Sequence, residues 1–93
     1  MIEIALLSRI RVVKGVLLKR VDDEAVIINL AKPTYFSLNA VGFRMVQVLT
    51  ETGSIEEAYN LLKDEYEVMS ETLMADLMEL VQELYQHDLI ILD

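Results

Sequence analysis

The hydrophobic period of this chain changes once, at Asn39, and that change restricts the folds open to it. Before Asn39 apolar side chains alternate in short β-branched runs; after it they recur every three or four residues. Val16 to Val21 reads as a strand. Ala25 to Leu30 reads as a second, with Val26, Ile28 and Leu30 on one face. Asp22, Asp23 and Glu24 between them make a hairpin turn. Ala31, Lys32 and Pro33 break the chain again. Thr34 to Leu38 then forms a third strand, with Thr34, Phe36 and Leu38 facing one way and Tyr35 and Ser37 the other. Upstream, Ile10 and Val12 alternate with Arg9 and Arg11, so Arg9 to Val13 is a further extended candidate.

Asn39 is a good N-cap, and a helix runs from Ala40 to about Thr50 with Val41, Met45, Val48 and Leu49 on its inner face. Gly53 ends that unit. Ser54 with Glu57 three residues later forms a capping box that opens a second helix, along which Ile55, Ala58, Tyr59, Leu62 and Tyr66 repeat at helical spacing. Ser70 caps a third and longest helix, reaching about His87. Leu89 to Leu92 is a short apolar tail that either adds a strand or packs. The expected fold class is therefore α+β: a three-stranded antiparallel sheet followed by three helices, winged helix-turn-helix-like in shape. Shape alone assigns no function. Residues 1–93 read as a single domain, with no internal repeat, low-complexity stretch or linker.

The 16 acidic residues outnumber the eight basic ones, for a net charge of −8, and a surface of that sign repels phosphate backbones. With no cysteine there are no disulfides, thiolate metal sites or cysteine nucleophiles, as a reducing compartment allows. No apolar run approaches the roughly 20 residues that span a bilayer. Met1 to Leu7 carries Glu3 and lacks a basic leading segment, so it does not read as a signal peptide. The expectation is a cytoplasmic protein that engages neither nucleic acid nor membrane.

On a helical wheel the third helix has two apolar stripes. Leu73, Leu77, Leu80 and Leu84 form one; Met74, Met78, Val81 and Tyr85 form the other; Thr72, Asp76, Glu79, Glu83 and Gln86 take the polar side. The stripes together cover on the order of 160°, against about 100° for an ordinary surface helix. Two readings follow. Either both stripes are core, or the methionine stripe borders a groove, where its adaptable side chains and the polar tip of Tyr85 suit a peptide. The third strand supplies the other half of such a groove. It is an edge of the meander, Thr34 to Leu38 carry no charge to blunt it, and an extended peptide can add there as a further strand. The competing reading covers that edge with the N-terminal segment or a second copy of the chain.

Catalytic machinery is absent from the pattern. His87, the single histidine, falls at a helix end, where it meets the last carbonyls. Asp76, Glu79 and Glu83 make a solvated acidic face without a coordinating loop, and Gly15, Gly42 and Gly53 form no phosphate loop. Arg9, Arg11, Lys14, Lys19 and Arg20 cluster early; they offer a local positive patch to an acidic peptide or, the favoured reading, a solvated strand face. No enzyme activity, metal or cofactor is expected.

The run Tyr35-Phe36-Ser37-Leu38-Asn39-Ala40-Val41-Gly42, preceded by Val26-Ile27-Ile28-Asn29-Leu30, resembles the signature of the pyrroloquinoline-quinone biosynthesis protein D family. The similarity continues through Ser54-Ile55-Glu56-Glu57, Tyr66, Asp76-Leu77, Leu80 and Leu84 to Asp88-Leu89-Ile90, so it covers roughly residues 13 to 92. The resemblance implies a stand-alone, non-catalytic adaptor that binds the leader of a ribosomally made precursor peptide, as in lasso-peptide pathways. Such an adaptor presents the leader to a modifying enzyme, either a radical-SAM enzyme or a leader peptidase. In the family the leader adds to the third strand and packs on the third helix. Carried over by position, the peptide-binding residues are Thr34, Tyr35, Phe36, Ser37 and Leu38 with Met74, Met78, Val81 and Tyr85. Two positions depart from the pattern: the second hairpin reads Ala31-Lys32-Pro33-Thr34 without the usual glycine, and the third helix stops at Asp88 where a glycine is usual. Two other classes remain: a winged-helix DNA-binding regulator, whose third helix would offer Gln82 and Gln86 but no Arg or Lys, and a homodimerisation module built on the edge strand and methionine stripe.

Overall fold

The computed structural model describes residues 9–22, 24–32, 34–66 and 70–92. The segment Met1 to Leu7, read above as no signal peptide, and the turn residues Asp23 and Pro33 lie outside the described residues. The elements are β1 (Ile10–Val12), β2 (Val16–Val21), β3 (Glu24–Asn29), β4 (Thr34–Leu38), α1 (Ala40–Thr52), α2 (Ile55–Glu65), α3 (Ser70–Gln86) and β5 (Ile90–Leu92). The fold is α+β: an antiparallel β2-β3-β4 sheet followed by three helices, with β1 and β5 paired antiparallel in a small second sheet. The extended candidate at Arg9 to Val13 and the apolar tail are thus two strands of one ribbon.

Local chemistry sets the boundaries. β2 and β3 pair from Val16↔Asn29 to Val21↔Glu24, so Glu24 starts the strand and is not part of the turn. Asp22 turns the chain at φ 55, a left-handed conformation that a short polar side chain tolerates. Asn39 caps α1, its Oδ1 accepting from the Gly42 N–H at 2.8 Å. A Cβ on Gly42 would lie 3.3 Å from both that oxygen and Leu38 Cδ2, so the glycine lets the cap close against the end of β4. α1 continues to Thr52, two residues beyond the expected end, and stops at left-handed Gly53. Ser54 Oγ accepts from the Glu57 N–H at 3.3 Å at the start of α2. Tyr66, expected within the helical repeat, is instead the extended residue that ends it.

One core lies between the β2-β3-β4 sheet and the helices. Ala25 and Ile27 of β3 and Leu38 of β4 meet Met45, Val46, Val48 and Leu49 of α1, Ile55, Ala58 and Leu62 of α2, and Leu73, Leu77, Val81 and Leu84 of α3. Ile10, Leu89 and Ile90 close the end beneath the ribbon. Burying a side chain of this kind contributes about 1.5–3 kcal/mol. The structure selects the inner face of β3 and corrects one expectation about α1. In β3 the buried set is Ala25, Ile27 and Asn29, while Val26 and Ile28 are half-buried on the outer face and Leu30 is exposed in the turn. In α1, Val46 takes the core place expected of Val41, which is 43% exposed beside the end of β4. Among the described residues, no helix is long and apolar enough to cross a membrane.

Candidate functional site

The site is built by fastening β4 to α3. Asn29, the one buried polar residue described, holds the β3–β4 turn: its Oδ1 accepts from the N–H groups of Ala31 (2.9 Å) and Lys32 (3.3 Å), the role of an Asx turn. Its Nδ2 donates to the Asp88 carbonyl at 2.9 Å. Asp88, at φ 59, takes the left-handed place where a glycine is usual. The Leu89 N–H donates to Leu84 O and the Asp88 N–H to Tyr85 O, the paired bonds of a Schellman helix end. At the two departures from the family pattern, the Asn29 side chain braces the turn by hydrogen bonding, and Asp88 adopts the left-handed conformation that glycine would take. The ring of Phe36 on β4 meets that of His87 edge-on, 5.3 Å between centroids, and His87 Nδ1 lies 2.8 Å from the Glu83 carbonyl at the helix end.

β4 pairs with β3 alone among the described residues, leaving its other edge open. The Leu30 N–H donates towards β2, to Gly15 O, so the alternation of an antiparallel ladder turns the Asn29, Ile27 and Ala25 amides towards β4. Phe36 and Leu38 answer them across the ladder, and the backbone groups of Tyr35 and Ser37 face outward. Beside that edge lies a groove of about 410 Å³. Phe36, Leu38, Val41 and Met45 form its apolar side, Ser37, Asn39 and Gly42 contribute backbone and polar atoms, and α3 supplies Leu80 flanked by Asp76, Glu79 and Glu83.

The expected site residues separate into two groups. Phe36, Ser37 and Leu38 line the groove. Thr34 begins the strand half-buried, with Oγ1 shielded and unpartnered among the described residues, and Tyr35 is 64% exposed on the outer sheet face. The expected helix set lies elsewhere. Val81 is fully buried in the core, Met74 and Met78 pack half-buried against it, and Tyr85 borders a separate recess with Asp88, Ile90 and Ile91. The leucine stripe of α3 has two flanks, and the methionines occupy the one turned away from the groove. The groove opens on the other, where the polar side of the wheel begins. The wheel assigned those carboxylates to solvent because helical periodicity alone cannot say which flank the sheet edge will overlook.

The model for the family described as coenzyme PQQ synthesis protein D (PqqD) matches residues 24–90. The chain belongs to the PqqD family. The match begins at β3 and takes in β4, all three helices and the Asp88 turn, so every wall of the groove lies within the PqqD unit. A structure of TbiB1 in complex with the TbiA(beta) leader peptide superposes with a TM-score of 0.76 at 32% identity, over 86% of this chain and 93% of that one. A lasso peptide synthetase B1 complexed with the leader peptide superposes with a TM-score of 0.78 at 23% identity, over 89% and 98%, and shares the PqqD fold. No curated protein matches the sequence.

Proposed function

We propose that this chain is a non-catalytic adaptor that binds the leader of a ribosomally synthesised precursor peptide and presents it to a modifying enzyme. The observation that carries the reading is the open edge of β4 running beside the groove. An extended leader adds to that edge through the outward backbone groups of Tyr35 and Ser37, and its alternate side chains drop between Phe36, Leu38 and Leu80. Main-chain bonds supply affinity independent of sequence, and the groove supplies selection. The relatives support the reading, because both similar structures are leader-peptide complexes. The guest needs no chemistry from the adaptor; ordering it at one edge spares the enzyme the entropy of capturing a disordered segment. A radical-SAM enzyme or a leader peptidase fits as the enzyme partner.

The test is an amide chemical-shift titration with a candidate leader peptide. Amides of Thr34 to Leu38 and of the Leu80 turn of α3 should move together. Tyr35→Pro, which deletes an outward N–H while sparing those that face β3, should abolish the shifts. Shifts that persist in Tyr35→Pro, or that map to Tyr85 and β5, would refute strand addition at β4.

A further inference from the structure

Resting on strand addition at β4, we infer that the guest is a basic peptide, carrying lysine or arginine on the side chains it turns towards α3. The apolar floor and open strand edge make the groove; the carboxylates along its helix wall fix the sign of what enters. Asp76 and Glu79 have no hydrogen bond or ion pair among the described residues, and Glu83 reaches only His87 Nδ1, at 3.9 Å. Three cations are engaged elsewhere: Lys32 pairs with Asp88, Arg44 pairs with Glu65, and Arg20 lies over the Phe43 ring. The groove therefore presents unneutralised negative charge over apolar surface, in a chain whose net charge is −8. A guest of like charge is repelled, and a basic one is drawn in and oriented.

Spacing and side-chain shape favour long cations over small polar groups. Side chains on one face of an added strand repeat every ~6.6 Å. Glu79 and Glu83, four residues apart on α3, are separated by a rise of about 6 Å, so successive inward side chains of the guest can each meet a carboxylate. The aliphatic stem of a lysine or arginine covers Leu38 and Leu80 on the floor while its charged head reaches the rim.

The experiment sorts a display library of random twelve-residue peptides on three proteins: the wild type, the triple variant Asp76→Asn, Glu79→Gln, Glu83→Gln, and Tyr35→Pro. The amides are isosteric and the three side chains lie outside the core, so thermal midpoints should match the wild type. The wild type should enrich peptides with Lys or Arg at alternate positions among apolar residues. The triple variant should keep the apolar preference and lose the basic one. A peptide selected on the wild type should bind the triple variant about tenfold more weakly, with little remaining dependence on salt. Wild-type enrichment without a basic bias, or an identical bias in the triple variant, overturns this inference and leaves strand addition standing. Peptides recovered equally on Tyr35→Pro overturn strand addition itself, and the inference with it.

Discussion

The side-chain amide of Asn29 donates to the backbone carbonyl of Asp88 across 2.9 Å, joining the β3–β4 turn to the end of α3 across 59 residues of sequence. The same side chain holds the turn by accepting from Ala31 and Lys32. One residue thus ties the turn that precedes β4 to the end of the helix that walls the groove. Asn29→Ala leaves the part-buried Asp88 carbonyl and the two turn N–H groups of Ala31 and Lys32 without this partner, which costs roughly 2 kcal/mol. Urea unfolding should show that loss. The Thr34 to Leu38 amides should also exchange faster than in the wild type, because the edge loses its anchor.

Asp88 occupies a left-handed position at φ 59, which aspartate tolerates and glycine adopts freely. Its side chain pairs with Lys32 at 3.3 Å, but both groups are more than half exposed, so the pair offsets little. Asp88→Gly should stabilise the protein by about 0.5 kcal/mol, and Asp88→Ala should destabilise it by about 1 kcal/mol. Thermal unfolding of the two variants should therefore move in opposite directions. If both lowered the midpoint equally, the Lys32 pair would be the more important element.

These two residues also mark how far the sequence is legible. The change of hydrophobic period at Asn39, the Asn39 and Ser54 caps and the Gly53 stop are local, and each element they delimit stands where periodicity puts it. That β4 has one unpaired edge among the described residues follows from its place as last strand of a meander; the N-terminal segment of the competing reading lies outside them. What sequence cannot carry is the rotation of α3 about its own axis. Both flanks of its leucine stripe are compatible with burial, and the choice is made by packing at a distance: Val81 seals the core, and Asp76, Glu79 and Glu83 are left to overlook β4. The same holds for β3, where alternation gives two faces and only the helices select Ala25, Ile27 and Asn29.

Arg44 on α1 and Glu65 at the end of α2 form a two-point ion pair at 2.9 and 2.8 Å. The hydrogen bonds from Arg44 hold the Glu65 carboxyl below its ordinary range; attraction to the guanidinium adds to this, and partial desolvation opposes it. The same bonds raise Arg44. Because the folded carboxyl is the stronger acid, the unfolded chain takes up a proton first as pH falls. The pair's contribution is thus complete above the ordinary carboxylate value and is lost as pH drops through the depressed folded one. The midpoint difference between wild type and Glu65→Gln should be constant near neutrality and vanish in acid. A difference that grew in acid would refute the assignment.

The two flanks of α3 predict opposite phenotypes. Met78 packs half-buried against the core on the flank away from the groove, whereas Val41, 43% exposed, lines the groove at the start of α1. Met78→Glu places a charge against apolar core, costing about 1–2 kcal/mol of stability, and it leaves the carboxylate wall beside β4 untouched. Affinity for a peptide selected on the wild type should stay within about twofold, since no groove contact is removed. Val41→Lys removes apolar groove surface and adds a cation facing a basic guest, so binding should fall by about tenfold or more while stability changes by less than about 0.5 kcal/mol. Urea unfolding and fluorescence anisotropy on the same two samples separate the effects. Abolished binding in Met78→Glu at unchanged stability would move the guest to the methionine flank and take the carboxylates out of recognition.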